Sequence, residues 1–215
     1  RLIVILEICS FKTKNYESAR RYLEPFQDPK SMVQKAECRL HLGMCDEARE
    51  ELRDIIMLFP EGIRGAAFSA FFANQAHQED RHPFCPNAID KISLSHLKTY
   101  SSDEVGFLRR LSEELEAVEA VWEPENKTNK LGHQTTGNIF ELRTPAVVEL
   151  QSILEQEIRK FRERHKGDVS LLFENWPLRQ WLHGWSVKLG RGGHQDSHIH
   201  ESGWVSGVFY LKTVK

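Results

Sequence analysis

The sequence predicts an α+β protein, with helices in the front half and strands in the back half. Three observations predict it. Apolar residues recur at helical spacing up to about residue 78. Breakers, His82-Pro83 and Cys85-Pro86, interrupt the chain next. After Leu178 the apolar period falls to two.

The front helices come first. Ala19, Leu23 and Phe26 fall at i, i+4 and i+7, one face of a helix. The pattern returns 29 residues on as Ala48, Leu52 and Ile55. The lead-ins match as well: Asn15-Tyr16-Glu17-Ser18 against Met44-Cys45-Asp46-Glu47. Leu42-Gly43 is expected where two antiparallel helices pack closely before a turn, and Pro60 closes the second unit. Ala36 to Pro60 resembles a tetratricopeptide repeat, with Ala48 as the small packing residue and Pro60 as the terminal proline. The period is shorter than the usual 34 or so, which makes the repeats degenerate. A plain helical hairpin bundle is the alternative. Arg64 to His77 is expected as a further helix, packing through Phe68, Phe71 and Phe72.

Gln78 to Leu94 is expected to be a linker. Asp103 to Val121 follows as an amphipathic helix, with Val105, Leu108, Leu111 and Leu115 on its apolar face. Glu123 to Asn138 is polar, and Gly132 and Gly137 mark turns in it. Thr144-Pro145 opens a helix, with Thr144 as N-cap and Pro145 at the first helical position. Val147, Leu150, Ile153, Leu154 and Ile158 form its apolar face, and it ends near Lys166-Gly167. Trp185, Val187 and Leu189 then alternate with Ser186 and Lys188 as a half-buried strand. Gly190 to Gly193 breaks that strand. Two more are expected at His198 to Glu201 and Val205 to Lys212, the last buried on both faces.

Composition bounds the function. In 215 residues, Lys+Arg is 29 and Asp+Glu is 31. A net charge of -2 gives no electrostatic footprint for nucleic acid. No apolar run approaches the roughly 20 residues that span a bilayer, so no membrane segment is expected. Cys9, Cys38, Cys45 and Cys85 form no C-x-x-C pair and are read as thiols in a reducing, cytoplasmic setting. Arg1 to Cys9 reads as a helix rather than a signal peptide, because Glu7 interrupts it and no cleavage site follows. The first residue is not Met, and the chain stops inside an expected strand, so a fragment is expected.

The chemistry concentrates in Gly193-His194-Gln195-Asp196-Ser197-His198-Ile199-His200. His194, Asp196, His198 and His200 share parity and would share one face of a strand. Imidazole with carboxylate suits iron, zinc or manganese.

The surroundings carry a resemblance. Trp185-Ser186-Val187-Lys188-Leu189 leads into the histidines, and Gly203-Trp204-Val205-Ser206-Gly207-Val208-Phe209-Tyr210-Leu211 follows them. Upstream stands Gly132-His133-Gln134-Thr135-Thr136-Gly137-Asn138. Residues 122–212 resemble a family of 2-oxoglutarate- and Fe(II)-dependent oxygenases often carried behind tetratricopeptide repeats. The resemblance implies a double-stranded β-helix, or jelly roll, enclosing a metal pocket. It divides the chain into helical repeats (1–78), a linker and helix (79–121), and the first part of the jelly roll (122–215). It implies Fe(II) held by two histidines and a carboxylate, with 2-oxoglutarate as co-substrate.

On this chain His198 matches the first histidine ligand. The second donor is left open: His200 itself, or a carboxylate from Asp196 or Glu201. Tyr210 is the candidate to hydrogen-bond the co-substrate, or else a core aromatic. Trp181, Trp185 and Trp204 are expected in the core. Relatives carry a distal histidine and a basic residue later in the chain, and none of the 15 residues after His200 is histidine or arginine. The metal site is therefore expected to be incomplete within these residues.

Two other readings stand beside this one. A cupin fits Gly192 followed by His198-x-His200, but Trp204 and Val205 occupy the place of its glutamate. A peptide-binding helical scaffold with a degenerate β half needs no metal at all. Under the oxygenase reading, the repeats point to a protein or peptide substrate.

Overall fold

The computed structural model describes residues 14–125 and 127–213. The reading of Arg1 to Cys9 as a helix lies outside them. The described residues form helices and one three-stranded antiparallel sheet, an α+β architecture. They divide into two compact units. The first runs to Ile92 and regains Asp168–Trp176; the second holds Ser93–Gly167 and the chain from Pro177 onward.

The first unit is built from α1 (Tyr16–Leu23), α2 (Pro29–His41), α3 (Cys45–Leu58) and α4 (Ile63–Gln75). Ala19, Leu23, Ala48, Leu52 and Ile55 are buried as their spacing requires. Phe26 lies beyond the end of α1 and is half-buried. Gly43 serves differently from the expectation. Its φ is +78°, and a Cβ built on it would meet nothing within 4 Å. Gly43 N donates to Leu40 O, and Met44 N donates to Arg39 O, a Schellman closure of α2. The glycine supplies a left-handed residue rather than a close approach.

Phe68 and Phe72 pack inward on α4, but Phe71 is 52% exposed. The buried face runs through Gly65, Ala66, Phe68, Ser69, Phe72 and Ala73, and Phe71 falls on its far side at 100° per residue. Glu51 is buried between Lys35 and Arg39 and pairs with both. A buried acid in this position is compensated by its partners rather than by water.

The expected linker is packed. Ser69 Oγ donates to Asp80 Oδ1 at 2.7 Å, and His82 N donates to the same oxygen at 3.2 Å. His82 and Phe84 are buried. The chain returns here through α7 (Leu171–Glu174): Leu171 N and Leu172 N donate to Pro83 O and Phe84 O. Lys91 pairs with Asp168. Burial opposes the charge on Asp168, but hydrogen bonds from Lys91 and Ser170 win and hold its pKa down at about 2. The prolines here do not loosen the chain, because polar side chains and returning backbone bond to its backbone groups.

The second unit packs α5 (Glu104–Glu116) on α6 (Pro145–Arg164). Phe107, Leu111 and Leu115 are the buried stripe of α5, and Val105 is 81% exposed. The stripe at i, i+4, i+8 is centred on Leu111, and Val105 turns outward from it. The cap of α6 also departs from expectation. Thr144 makes no side-chain cap bond. Instead Glu114 on α5 accepts from Thr144 Oγ1 at 2.6 Å, Ala146 N at 3.0 Å and Val147 N at 3.1 Å. A carboxylate from a neighbouring helix thus satisfies the free amides and complements the helix dipole.

The sheet runs in the order β1 (Ala120–Trp122), β2 (Asn129–Thr135), β3 (Val187–Gln195). α5 stops at Glu116, and Ala120–Trp122 becomes strand. β2 lies within the stretch read as polar turns. Its inward residues Asn129, Gln134 and Thr135 are polar, so no apolar alternation announced it. The glycine break is a bulge inside β3 rather than its end. Gly132 faces Leu189 and Lys130 faces His194, so three extra residues of β3 loop out opposite Leu131. Among the described residues, 198–201 and 205–212 form no strand. No neighbouring strand pairs with them, so their β-propensity is not realised. The jelly roll is accordingly not formed by the described residues.

Candidate metal centre

The histidine segment is placed by ties between the Gly132–Asn138 motif and the approach to β3. Asn138 Nδ2 donates to Leu182 O at 3.1 Å, and Asn138 Oδ1 accepts from Gly184 N at 3.0 Å. Thr135 Oγ1 accepts from Ser186 N at 2.9 Å. Ile139 N and Thr135 N bond Gly184 O and Ser186 O. Gly184 is needed because a Cβ there would stand 2.7 Å from Phe140 Cε2. The motif that looked like turns is a row of fasteners for residues 182–187.

The bulge determines what faces inward. Leu131 has φ +53°, and its N donates to Glu123 Oε1 at 2.6 Å. The irregular residue brings Asn129 and Gln134 together, although five positions would set them on opposite faces of a regular strand. Asn129 Nδ2 donates to Gln134 Oε1 at 3.0 Å, and Gln195 Nε2 donates to Asn129 Oδ1 at 2.8 Å. Gly193 lets β3 close over this point, since its Cβ would fall 2.7 Å from Leu131 O.

β3 ends at Gln195, so the shared parity of 194, 196, 198 and 200 does not apply. The four residues separate into two pairs. Asp196 Oδ1 stands 3.5 Å from His194 Nε2. His198 Nε2 stands 3.2 Å from His200 Nε2, with the rings edge to face. Trp185 lies against His200, with ring centroids 5.3 Å apart. Tyr210 is 73% exposed, and Trp181 is 83% exposed rather than in the core. Trp185 and Trp204 are half-buried. Phe209 and Leu211 pack on the core of the second unit.

Proton positions follow from the bonds. His198 Nδ1 lies 2.7 Å from Asp196 O, a carbonyl that can only accept. Nδ1 therefore carries the proton, and in the neutral ring Nε2 carries the lone pair. His200 then donates its Nε2–H to His198. Burial, the neighbouring His198 and Lys127 together push the His200 pKa below the ordinary value. The shift favours neutral His200, whose Nε2 is free to ligate a metal once its proton sits on Nδ1.

The fit to a metal is partial. Imidazole nitrogens sit about 2.0–2.1 Å from an ion such as zinc, which separates two adjacent ligands by roughly 3 Å. The pair at 3.2 Å meets that requirement. The carbonyl behind His198 Nδ1 is the usual second support of a ligating histidine. Among the described residues, no group of three or more His, Cys, Asp or Glu is assembled for a metal. Asp196 faces His194, not the pair. Sequence reasoning found the two histidines but not Asn129 or Lys127, which carry no motif of their own.

Residues 183–215 match a family model described as "Putative 2OG-Fe(II) oxygenase". No curated protein and no solved structure matches the chain. No helix among the described residues is long and apolar enough to cross a membrane.

Proposed function

We propose that this chain belongs to a 2-oxoglutarate- and Fe(II)-dependent dioxygenase that hydroxylates a protein or peptide. One observation carries the reading: His198 and His200 bring their Nε2 atoms to 3.2 Å inside the stretch that matches the oxygenase model. His198 and His200 are the imidazole ligands, and Asp196 is the carboxylate candidate once it leaves His194. Tyr210, exposed beside them in sequence, is the candidate partner of 2-oxoglutarate. When bound, Fe(II) with 2-oxoglutarate and O2 oxidises a substrate C–H bond as 2-oxoglutarate is converted to succinate and CO2. This chain's own part is to present two imidazoles side by side, fix the His198 tautomer through Asp196 O, and cover His200 with Trp185. We place the protein in the cytoplasm, where cysteines such as Cys38, Cys45 and Cys85 are kept reduced.

The helical unit is assigned to substrate presentation, by analogy with helical repeats that bind peptides. A scaffold without catalysis is the second reading, favoured by the exposed Met57, Leu58 and Phe71 of that unit. Succinate formation separates the two. Full-length protein with Fe(II), 2-oxoglutarate and O2 should form succinate, and His198→Ala should reduce it at least 100-fold. Succinate formation equal in protein and His198→Ala would leave the scaffold reading.

A further inference from the structure

The geometry points to a positioning role for the amide chain Gln134–Asn129–Gln195, which holds His198 in the tautomer and place that metal binding needs; this rests on the oxygenase reading of His198 and His200.

Asn129 is the hub. It is 1% exposed, and its side chain spans β2 and β3. Its amide takes both partners at once, Gln134 through Nδ2 and Gln195 through Oδ1. A buried amide with both ends satisfied resists displacement, because breaking either bond strands a polar group. The chain ends at the entry to the histidine turn. Gln195 is tied through its side chain, and the next residue through its backbone, Asp196 N to Thr128 O at 2.9 Å. These two ties aim the Asp196 carbonyl. That carbonyl accepts the His198 Nδ1 proton at 2.7 Å and leaves Nε2 to face His200. Every link from Asn129 to His198 is a hydrogen bond or a single residue of chain. Support of this kind behind a ligating histidine typically changes metal affinity 10–100-fold when lost.

Gln195 makes the chain testable, because its exposure lets it change without opening the core. Gln195→Met removes the last link. Gln195→Glu keeps it, because the Asn129 and Gln134 amides can both turn, so that Asn129 donates Nδ2 to the new carboxylate and accepts from Gln134 Nε2. Two readouts are made on the full chain: the His198 ring tautomer by 15N NMR without metal, and the affinity for Co(II). Wild type and Gln195→Glu should show the Nδ1–H form. Gln195→Met should show a substantial Nε2–H population and bind Co(II) 10–100-fold more weakly. Asn129→Ala, where folded by circular dichroism, should behave as Gln195→Met does. An unchanged tautomer and affinity in Gln195→Met would overturn the proposal, as would a loss that Gln195→Glu fails to restore in the NMR signal. A tautomer shift in Gln195→Met with no Co(II) bound by any form would sustain the positioning role and overturn the metal reading instead.

Discussion

His82 shows how a single residue can record its surroundings. It is fully buried, and its Nδ1 accepts from Phe84 N at 3.2 Å. Its proton therefore sits on Nε2, which is packed against Gly65 and has no hydrogen-bond partner. Burial depresses its pKa, and nearby Asp80 offsets this only in part. The unfolded chain takes up a proton near the ordinary value of 6.5, whereas the folded chain does so only at lower pH. Stability should thus fall as pH drops below 6.5, by up to about 1.4 kcal/mol per pH unit, until the folded-state pKa is passed. Urea unfolding at pH 7 and pH 5.5 checks this. His82→Gln should lose that part of the pH dependence; an unchanged slope would assign it to other groups. His82 stood in the sequence as half of a breaker, and nothing local announced its burial. The signal lies in Ser69 and Asp80, which only the fold brings together.

At the scale of elements, the helices were legible and the sheet was partly so. Helical periodicity found α1 to α6 because each buries one face, and it erred by rotation at Val105 and Phe71, which fall off the buried stripes of α5 and α4. β2 was invisible because its inward residues are amides and a threonine, held by hydrogen bonds rather than by apolar contact. The expected strands after β3 had the right residues but no partner strand among the described ones. The cap of α6 was legible as a helix start, yet the capping atom belongs to another helix. This exchange makes a prediction. Glu114→Ala strands the first amides of α6 and should cost about 1–3 kcal/mol. Thr144→Val removes only one hydroxyl donor and should cost less. Denaturant midpoints of the two variants check the order; a larger loss in Thr144→Val would restore the local N-cap. Above the ordinary value of 4.5, which the unfolded chain keeps, this contribution is complete. Burial works against the lowered pKa, but the bonds from Thr144, Ala146 and Val147 outweigh it, so the contribution fades as pH falls through the folded-state value.

For the whole molecule, the chain order and the packing order differ. Residues 168–176 belong with the helical unit, although the residues on either side of them belong to the other. A linear reading of domains cannot foresee this, since the link is made by Lys91, Asp168 and two backbone bonds from α7 to residues 83 and 84. The candidate site was legible as a motif. Its parity argument failed with the end of β3, and His198 and His200 come to 3.2 Å through a turn instead. What the molecule does therefore depends on whether His198 and His200 act together on one ion. Anaerobic titration of the full-length protein with Fe(II) and 2-oxoglutarate measures this directly through the charge-transfer band of the iron–oxoglutarate complex. The band should appear with wild type at one equivalent of Fe(II) and be lost in both His198→Ala and His200→Ala. A band that survives either substitution, or none in the folded wild type, would contradict the account.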